Sequence, residues 1–178
     1  MIHICSRCVL RPPEPMDTEL LYKYKNDVET AGLLGGFHVG LSRADITEWI
    51  ERHRKNKTDV LWVIADQSDD SCLGHVGLYQ VDHRIRCAEF AIMIGARDRW
   101  GKGLGREVTT YVVQWGFTNL NLNRVSLSVL ATNDRAIRLY RSLGFVEEGR
   151  CRQAQFKDGA YLDVIMMAIL KSEHEHEG

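Results

Sequence analysis

The densest chemistry in this chain lies in the ten residues Arg97 to Arg106, which read Arg-Asp-Arg-Trp-Gly-Lys-Gly-Leu-Gly-Arg. Gly101, Gly103 and Gly105 alternate, so the backbone can curl and aim successive N–H groups into one concavity. Leu104, Val108, Tyr111, Val112 and Trp115 follow at helical spacing, which predicts a helix from about Lys102 to Thr118 that begins inside the turn. Its positive end, with Arg99, Lys102 and Arg106 nearby, suits an anion such as a pyrophosphate. Two better-known phosphate motifs are absent. Gly101 and Gly103 are followed by Arg106 rather than by a third glycine at the dinucleotide spacing, and no Gly-Lys-Ser/Thr ending occurs. A glycine-rich turn holding nothing is the plain alternative.

Other reactive residues are less informative. Cys5 and Cys8 form a C-x-x-C pair, but no further ligands lie at similar spacing, and residues three apart on a strand face opposite ways. The run Glu173-His174-Glu175-His176-Glu177 reads as a frayed, solvated tail over 172–178 rather than as a metal site. His53 sits on a helical face with Ile46, Trp49 and Ile50, where a packed histidine is the ordinary reading. No metal is expected.

The elements that must position these residues follow from periodicity. Val9 to Arg11 reads as a first strand, ended by Pro12-Pro13. Asp17 looks like the N-cap of a helix running to about Glu29, carried by Leu20, Leu21, Tyr24 and Val28. A flexible glycine-rich connection, 31–41, leads to Ser42 and Asp45, a capping box with the shorter acid, and a second helix. Val60 to Ala65, Leu73 to Val81 and Cys87 to Ile94 are three strands with short polar connections, hence an antiparallel meander. The glycine turn and its helix come next, then a strand, Val125 to Leu130, and a helix marked by Ala136, Ile137, Leu139, Tyr140 and Leu143 and stopped by Gly144. Phe145 to Arg152 and Tyr161 to Leu170 close the chain as paired strands, with Lys157-Asp158-Gly159 as a turn. No linker or repeat interrupts the series, so 1–178 reads as one α/β domain.

Composition narrows the classes of function. Of 178 residues, 44% are apolar and 26% charged, the balance of a soluble globular protein. A net charge of −1 gives no support for bulk nucleic-acid binding. The apolar runs are too short to span a bilayer, and Met-Ile-His-Ile-Cys carries no secretion signal. Five scattered cysteines, an odd number, predict reduced thiols in a cytoplasm.

Two segments carry a family resemblance. Trp100-Gly101-Lys102-Gly103-Leu104-Gly105 resembles the acyl-CoA pyrophosphate loop of the GNAT N-acetyltransferase superfamily, Gln/Arg-x-x-Gly-x-Gly/Ala, with Trp100 in place of the leading residue. That replacement is similar to the ribosomal-protein and spermidine acetyltransferase branches (RimJ, RimL, SpeG). About 30 residues on, Asn133-x-x-Ala136-x-x-x-Tyr140-x-x-x-Gly144-Phe145 resembles the superfamily's other signature at every fixed position. The resemblance spans roughly Leu10 to Leu170 and is firm from Glu89 onward. It implies a mixed, mostly antiparallel sheet of about seven strands flanked by about four helices. It also implies acetyl-CoA as co-substrate, held by Arg99 to Arg106 together with Asn133, Arg135 and Ala136. The backbone of Ile92, Met93 and Ile94 would pair with the pantetheine arm where two strands splay. Arg141 could reach the nucleotide phosphates.

Amine acylation by a thioester needs an amine stripped of its proton, donors for the developing oxyanion and a proton for the departing thiolate. An alkylammonium with a pKa of about 10.4 is no nucleophile at neutral pH. The resemblance points to Tyr140 as the proton donor, and its phenol is protonated at pH 7; a core tyrosine is the bland alternative. Glu89, a carboxylate inside the apolar strand Ala88 to Ile94, is the base that the resemblance favours, against a strand glutamate facing solvent. Asp27, Glu29 and His75 are weaker candidates. By resemblance, the acceptor would lie between the connection at 29–41, apolar at Leu33, Leu34 and Phe37, and the late strands, Arg150 to Tyr161. It would be attacked directly in a ternary complex. Few carboxylates line the first segment, which favours a protein N-terminus, an amino sugar or another small amine over spermidine. Asp27, Glu29, Glu147 and Glu148 keep the polyamine alternative open, and an acyl-CoA-binding module without turnover is a further alternative. A homodimer is open too.

Overall fold

The structure, a computed structural model, describes residues 2–3, 7–35 and 40–174. Cys5, Phe37 and the histidine and acids beyond His174 therefore lie outside the described residues, and with them half of the C-x-x-C pair and most of the tail run.

One eight-stranded sheet organises the chain. Its strands are β1 (Ile2–His3), β2 (Cys8–Arg11), β3 (Val60–Asp66), β4 (Cys72–Asp82), β5 (Cys87–Ile94), β6 (Arg124–Leu130), β7 (Val146–Lys157) and β8 (Ala160–Leu170). The order across the sheet is β1-β2-β3-β4-β5-β6-β8-β7. Every neighbouring pair is antiparallel except β5 and β6, which run parallel. The expected meander is β3-β4-β5, and the expected seven strands are joined by the two-residue β1.

Helices α1 (Thr18–Asn26), α2 (Val28–Gly32) and α3 (Arg43–Lys55) precede the meander. After it come α4 (Leu104–Asn119), α5 (Asp134–Arg141) and the short α6 (Lys171–His174). The sheet is covered on both faces, which is why β3 reads as an unbroken apolar run. One core joins Val76, Leu78 and Phe90 to Val108, Val112 and Phe117 of α4 and Ile137 of α5. The other joins Val63, Ala65 and Met93 to Leu21 of α1 and Ile46 and Ile50 of α3. At α3 the capping box forms as expected, with Ser42 and Asp45 bonded reciprocally.

Three local expectations are corrected. The first helix does not run to Glu29. Asp27 turns extended at φ −72°, ψ 122°, caps Thr30 N at 2.8 Å and so starts α2 as a separate helix. Asp17 does not cap α1 with its side chain. Its carboxylate instead binds buried Arg11 at 2.8 and 2.9 Å and accepts from Glu14 N at 2.7 Å, because a buried guanidinium has the stronger demand. Residues 172–174 are not frayed: they belong to α6, where His174 Nε2 lies 2.6 Å from Gln114 Oε1.

Candidate active site

The cleft arises where the sheet stops pairing. β5 and β6 share only three residue pairs, ending at Glu89 with Ser126. Beyond these, β5 pairs on its other side with β4, and β6 with β8, so the facing edges of 90–94 and 127–130 have no strand between them. A cavity of about 640 Å³ occupies this gap, within the range of small-molecule sites. Ile92, Met93, Ile94, Ser128, Val129 and Leu130 are among its walls.

The glycine turn closes one end. Gly101 and Gly103 take φ of 73° and 86°, left-handed values that only glycine adopts without strain. Gly103 is the N-cap of α4 and offers no side-chain cap, so the first-turn amides stay open to an anion. Trp100 Nε1 donates to Ile94 O at 2.7 Å and pins the turn to the end of β5. The Arg135 guanidinium stacks 4.4 Å from the Trp100 ring centre. Arg99 Nη2 donates to Asp66 Oδ2 at 2.5 Å, and Arg106 Nη2 to Ser142 Oγ at 2.6 Å. Arg99, Trp100, Gly101, Gly103, Leu104, Gly105, Arg106, Asn133, Arg135 and Ala136 all line the cavity. Lys102 is the one residue of the expected cradle that does not; it is exposed, and its carbonyl accepts from Arg7 at 2.6 Å. Arg141 turns away to Glu147 at 2.7 Å. These uncapped amides and this charge fit a pyrophosphate.

Tyr140, on α5, faces the same cavity. It is buried between Phe90 and Phe145, with ring centres 6.3 and 5.6 Å away. Burial pushes its phenol up to about 12, so it stays a proton donor across the neutral range. Glu89 is half-buried in a central strand rather than on an edge, opposite Tyr79, and lines the cavity. It is the only carboxylate among the described lining residues. Asn133 caps α5 by accepting from Ala136 N at 3.1 Å and donates through Nδ2 to Leu33 O at 3.3 Å.

The roof comes from Thr30, Leu33, Leu34 and Gly35 after α1, and from Gln155 of β7. Lys157 Nζ ties the two together by donating to Leu34 O at 2.9 Å and to Ala31 O. Of the weaker base candidates, Asp27 and Glu29 are not in the cavity. Both pair with Arg97, which together with the Thr30 hydrogen bonds holds the Asp27 carboxyl far below its usual range. His75 is in the cavity, where burial first, then Lys25 and His53, keep its imidazole neutral.

Lys25 is the ionisable lining residue that sequence reasoning missed, beside apolar and small ones such as Phe90, Ser128 and Val129. Its place is fixed by its neighbour: Gly95 lets the Tyr24 ring pack where a Cβ would sit 2.0 Å from it, and Tyr24 Oη donates to Cys72 O at 3.1 Å. The signal was present in the spacing, since Lys25 lies four residues after buried Leu21, on the packed stripe of α1.

Comparison with known proteins agrees with this geometry. The profile of the acetyltransferase (GNAT) domain matches residues 7–146. A spermidine N(1)-acetyltransferase of Vibrio cholerae is 34% identical over 130 residues, 73% of this chain and 74% of that protein. An uncharacterized N-acetyltransferase, p20, of Bacillus licheniformis is 30% identical over 95% of this chain and 96% of its own. The crystal structure of the Vibrio cholerae spermidine N-acetyltransferase in complex with CoA and spermine superposes with a TM-score of 0.87 at 30% identity, covering 96% of this chain and 99% of that one. The chain belongs to the GNAT acetyltransferase family and is an acetyl-CoA-dependent N-acetyltransferase.

Proposed function

We propose that the chain acetylates a small primary amine that enters the cavity under the roof of 30–35 and Gln155 and attacks the thioester directly, in a ternary complex. The observation that carries this reading is the convergence, in one cavity, of the open amides around Gly103, the unpaired strand edges of 90–94 and 127–130, and the Tyr140 phenol. Acetyl-CoA supplies the activated acetyl group. Residues 99–106 with Asn133, Arg135 and Ala136 hold its pyrophosphate and arm, although the Lys102 side chain is placed to add only long-range charge. The backbone of Ile92, Met93 and Ile94 pairs with the arm as an added strand would. Tyr140 gives its proton to the sulfur, and Glu89 takes the proton of the amine. Free thiols at Cys72, Cys87 and Cys151 support a cytoplasmic setting.

A polyamine acceptor is the second reading, favoured by the spermidine acetyltransferases among the relatives. Against it stands the lining, where Glu89 is the single acid beside Lys25, Arg99, Arg106 and Arg135. Two acids of the late strands, Glu147 and Glu148, are spent on Arg141 and Arg124. Mass spectrometry of an amine panel incubated with acetyl-CoA tests both readings. A monoamine gaining one acetyl group faster than spermidine is the expected result; spermidine leading establishes the second reading, and no acetylated amine in a panel of monoamines, peptides and polyamines overturns both.

A further inference from the structure

The wall of the cavity formed by α1 and β4 holds two polar groups with no task in acetyl transfer as described. Lys25 Nζ lies 4.1 Å from the Trp49 ring centre, and no described carboxylate pairs with it. His75 is 7% exposed, its ring centre 4.8 Å from Trp49, and neither ring nitrogen has a hydrogen-bond partner. Both side chains line the same cavity. The acids that might have neutralised this corner are committed elsewhere: Asp27 and Glu29 to Arg97, and Asp59 to His53 at 2.6 Å.

A buried donor without a partner is costly, and native proteins keep few of them. Lys25 offers three N–H donors, and the neutral imidazole of His75 offers one. A group rich in acceptor oxygens complements that set, whereas an ammonium is repelled by Lys25. The positive charges of the glycine turn do not belong to this corner, because Arg99, Arg106 and Arg135 are held by Asp66, Ser142 and Trp100.

Resting on the reading that the cavity acetylates an amine, we propose that Lys25 and His75 form a carboxylate subsite, so that the acceptor is an amine bearing a carboxylate several bonds away, as in an ω-amino acid or a short peptide. Spacing on the sheet supports that length. Glu89 stands opposite Tyr79 and Met93 opposite His75, four residues apart on β5, which is about 13 Å along a strand. An α-amino acid, with one carbon between its charged groups, is too short to reach from Glu89 to this corner.

The test compares three acceptors of equal length on the full chain: ε-aminocaproate, its amide, and hexamethylenediamine. The expected order of kcat/KM is acid over amide by about tenfold, with the diamine last. Lys25→Met abolishes the acid's advantage through KM while KM for acetyl-CoA holds, and Lys25→Arg retains it. Equal kcat/KM for the three amines overturns the subsite, as does a Lys25→Met effect that falls on acetyl-CoA instead. Calorimetric titration of ε-aminocaproate into the CoA-loaded chain separates this proposal from the one beneath it. Lys25-dependent binding without turnover keeps the subsite and sinks the acetyl-transfer reading. Turnover without Lys25-dependent binding does the reverse.

Discussion

Two clusters of polar side chains beneath the surface lie close to each other in sequence and are built on opposite plans. At the end of β2, Arg11 is 5% exposed and fully engaged, bound to both Asp17 oxygens and, through Nε, to Asp70 Oδ1 at 2.8 Å. These partners push its guanidinium further up, Asp17 foremost. On α1 and β4, Lys25 is half-buried with its ammonium over the Trp49 ring and no described carboxylate beside it, and buried His75 has both ring nitrogens idle. Burial alone pulls Lys25 down to about 8. The first cluster closes on itself and fixes the start of α1 against the sheet. The second is open toward a cavity, and perturbed groups left waiting in a cleft are the mark of a binding site. Saturation of hydrogen-bonding capacity, more than burial, separates the structural cluster from the functional one.

Asp17→Ala should break the closed cluster with the largest effect, because it strips buried Arg11 of its buried partner and leaves it only the partly solvent-exposed Asp70. A loss of about 3–5 kcal/mol in denaturant unfolding is expected, with kcat and both KM values unchanged in the folded fraction. Tyr140→Phe comes next: kcat falls roughly 10²-fold, about 2.7 kcal/mol, while CoA affinity by calorimetry holds. Unchanged turnover would remove Tyr140 from its role. His75→Leu sharpens the contrast from the other side. Removing an unsatisfied buried polar group should raise stability by about 1 kcal/mol, read as a higher Tm, while KM for ε-aminocaproate rises. A lower Tm would mean that His75 is structural after all.

The smallest effect is one of pH. Lys25 is charged below about 8 and loses its charge as pH rises through that value, so the acid-to-amide ratio of kcat/KM should fall above it, since kcat/KM reports free-enzyme ionisations. Using the ratio cancels the acceptor's own ionisation. His75, already neutral, and His53, paired with Asp59, share that corner, and Lys25→Arg should abolish the alkaline fall.

Much of this architecture was legible in the residues. Most strand and helix bounds from β3 onward follow the periodicity to within a few positions, because those elements bury a continuous stripe; β7, exposed along most of its length, runs on to Lys157 past the expected end at Arg152. The glycine turn was readable too, since left-handed φ at Gly101 and Gly103 admits few other residues. What escaped was decided across the chain rather than along it. Asp27 breaks a good helical pattern because Thr30 and Arg97 both claim its carboxylate. Lys157 reads as a turn residue yet reaches back to carbonyls at Ala31 and Leu34. Glu89 was ambiguous between solvent and cleft until β6 was known to abandon β5 after three pairs.

That short seam carries a mechanical consequence. Covalently the sheet is continuous, but its two halves, β1 to β5 and β6 to β8, are stitched together by only three rungs. An extended guest, such as the proposed cofactor arm, would supply the missing rungs if paired with both edges, so that loading the enzyme would also knit its halves into one stiffer body. Affinity for the guest and rigidity of the host are then the same free energy seen from two sides.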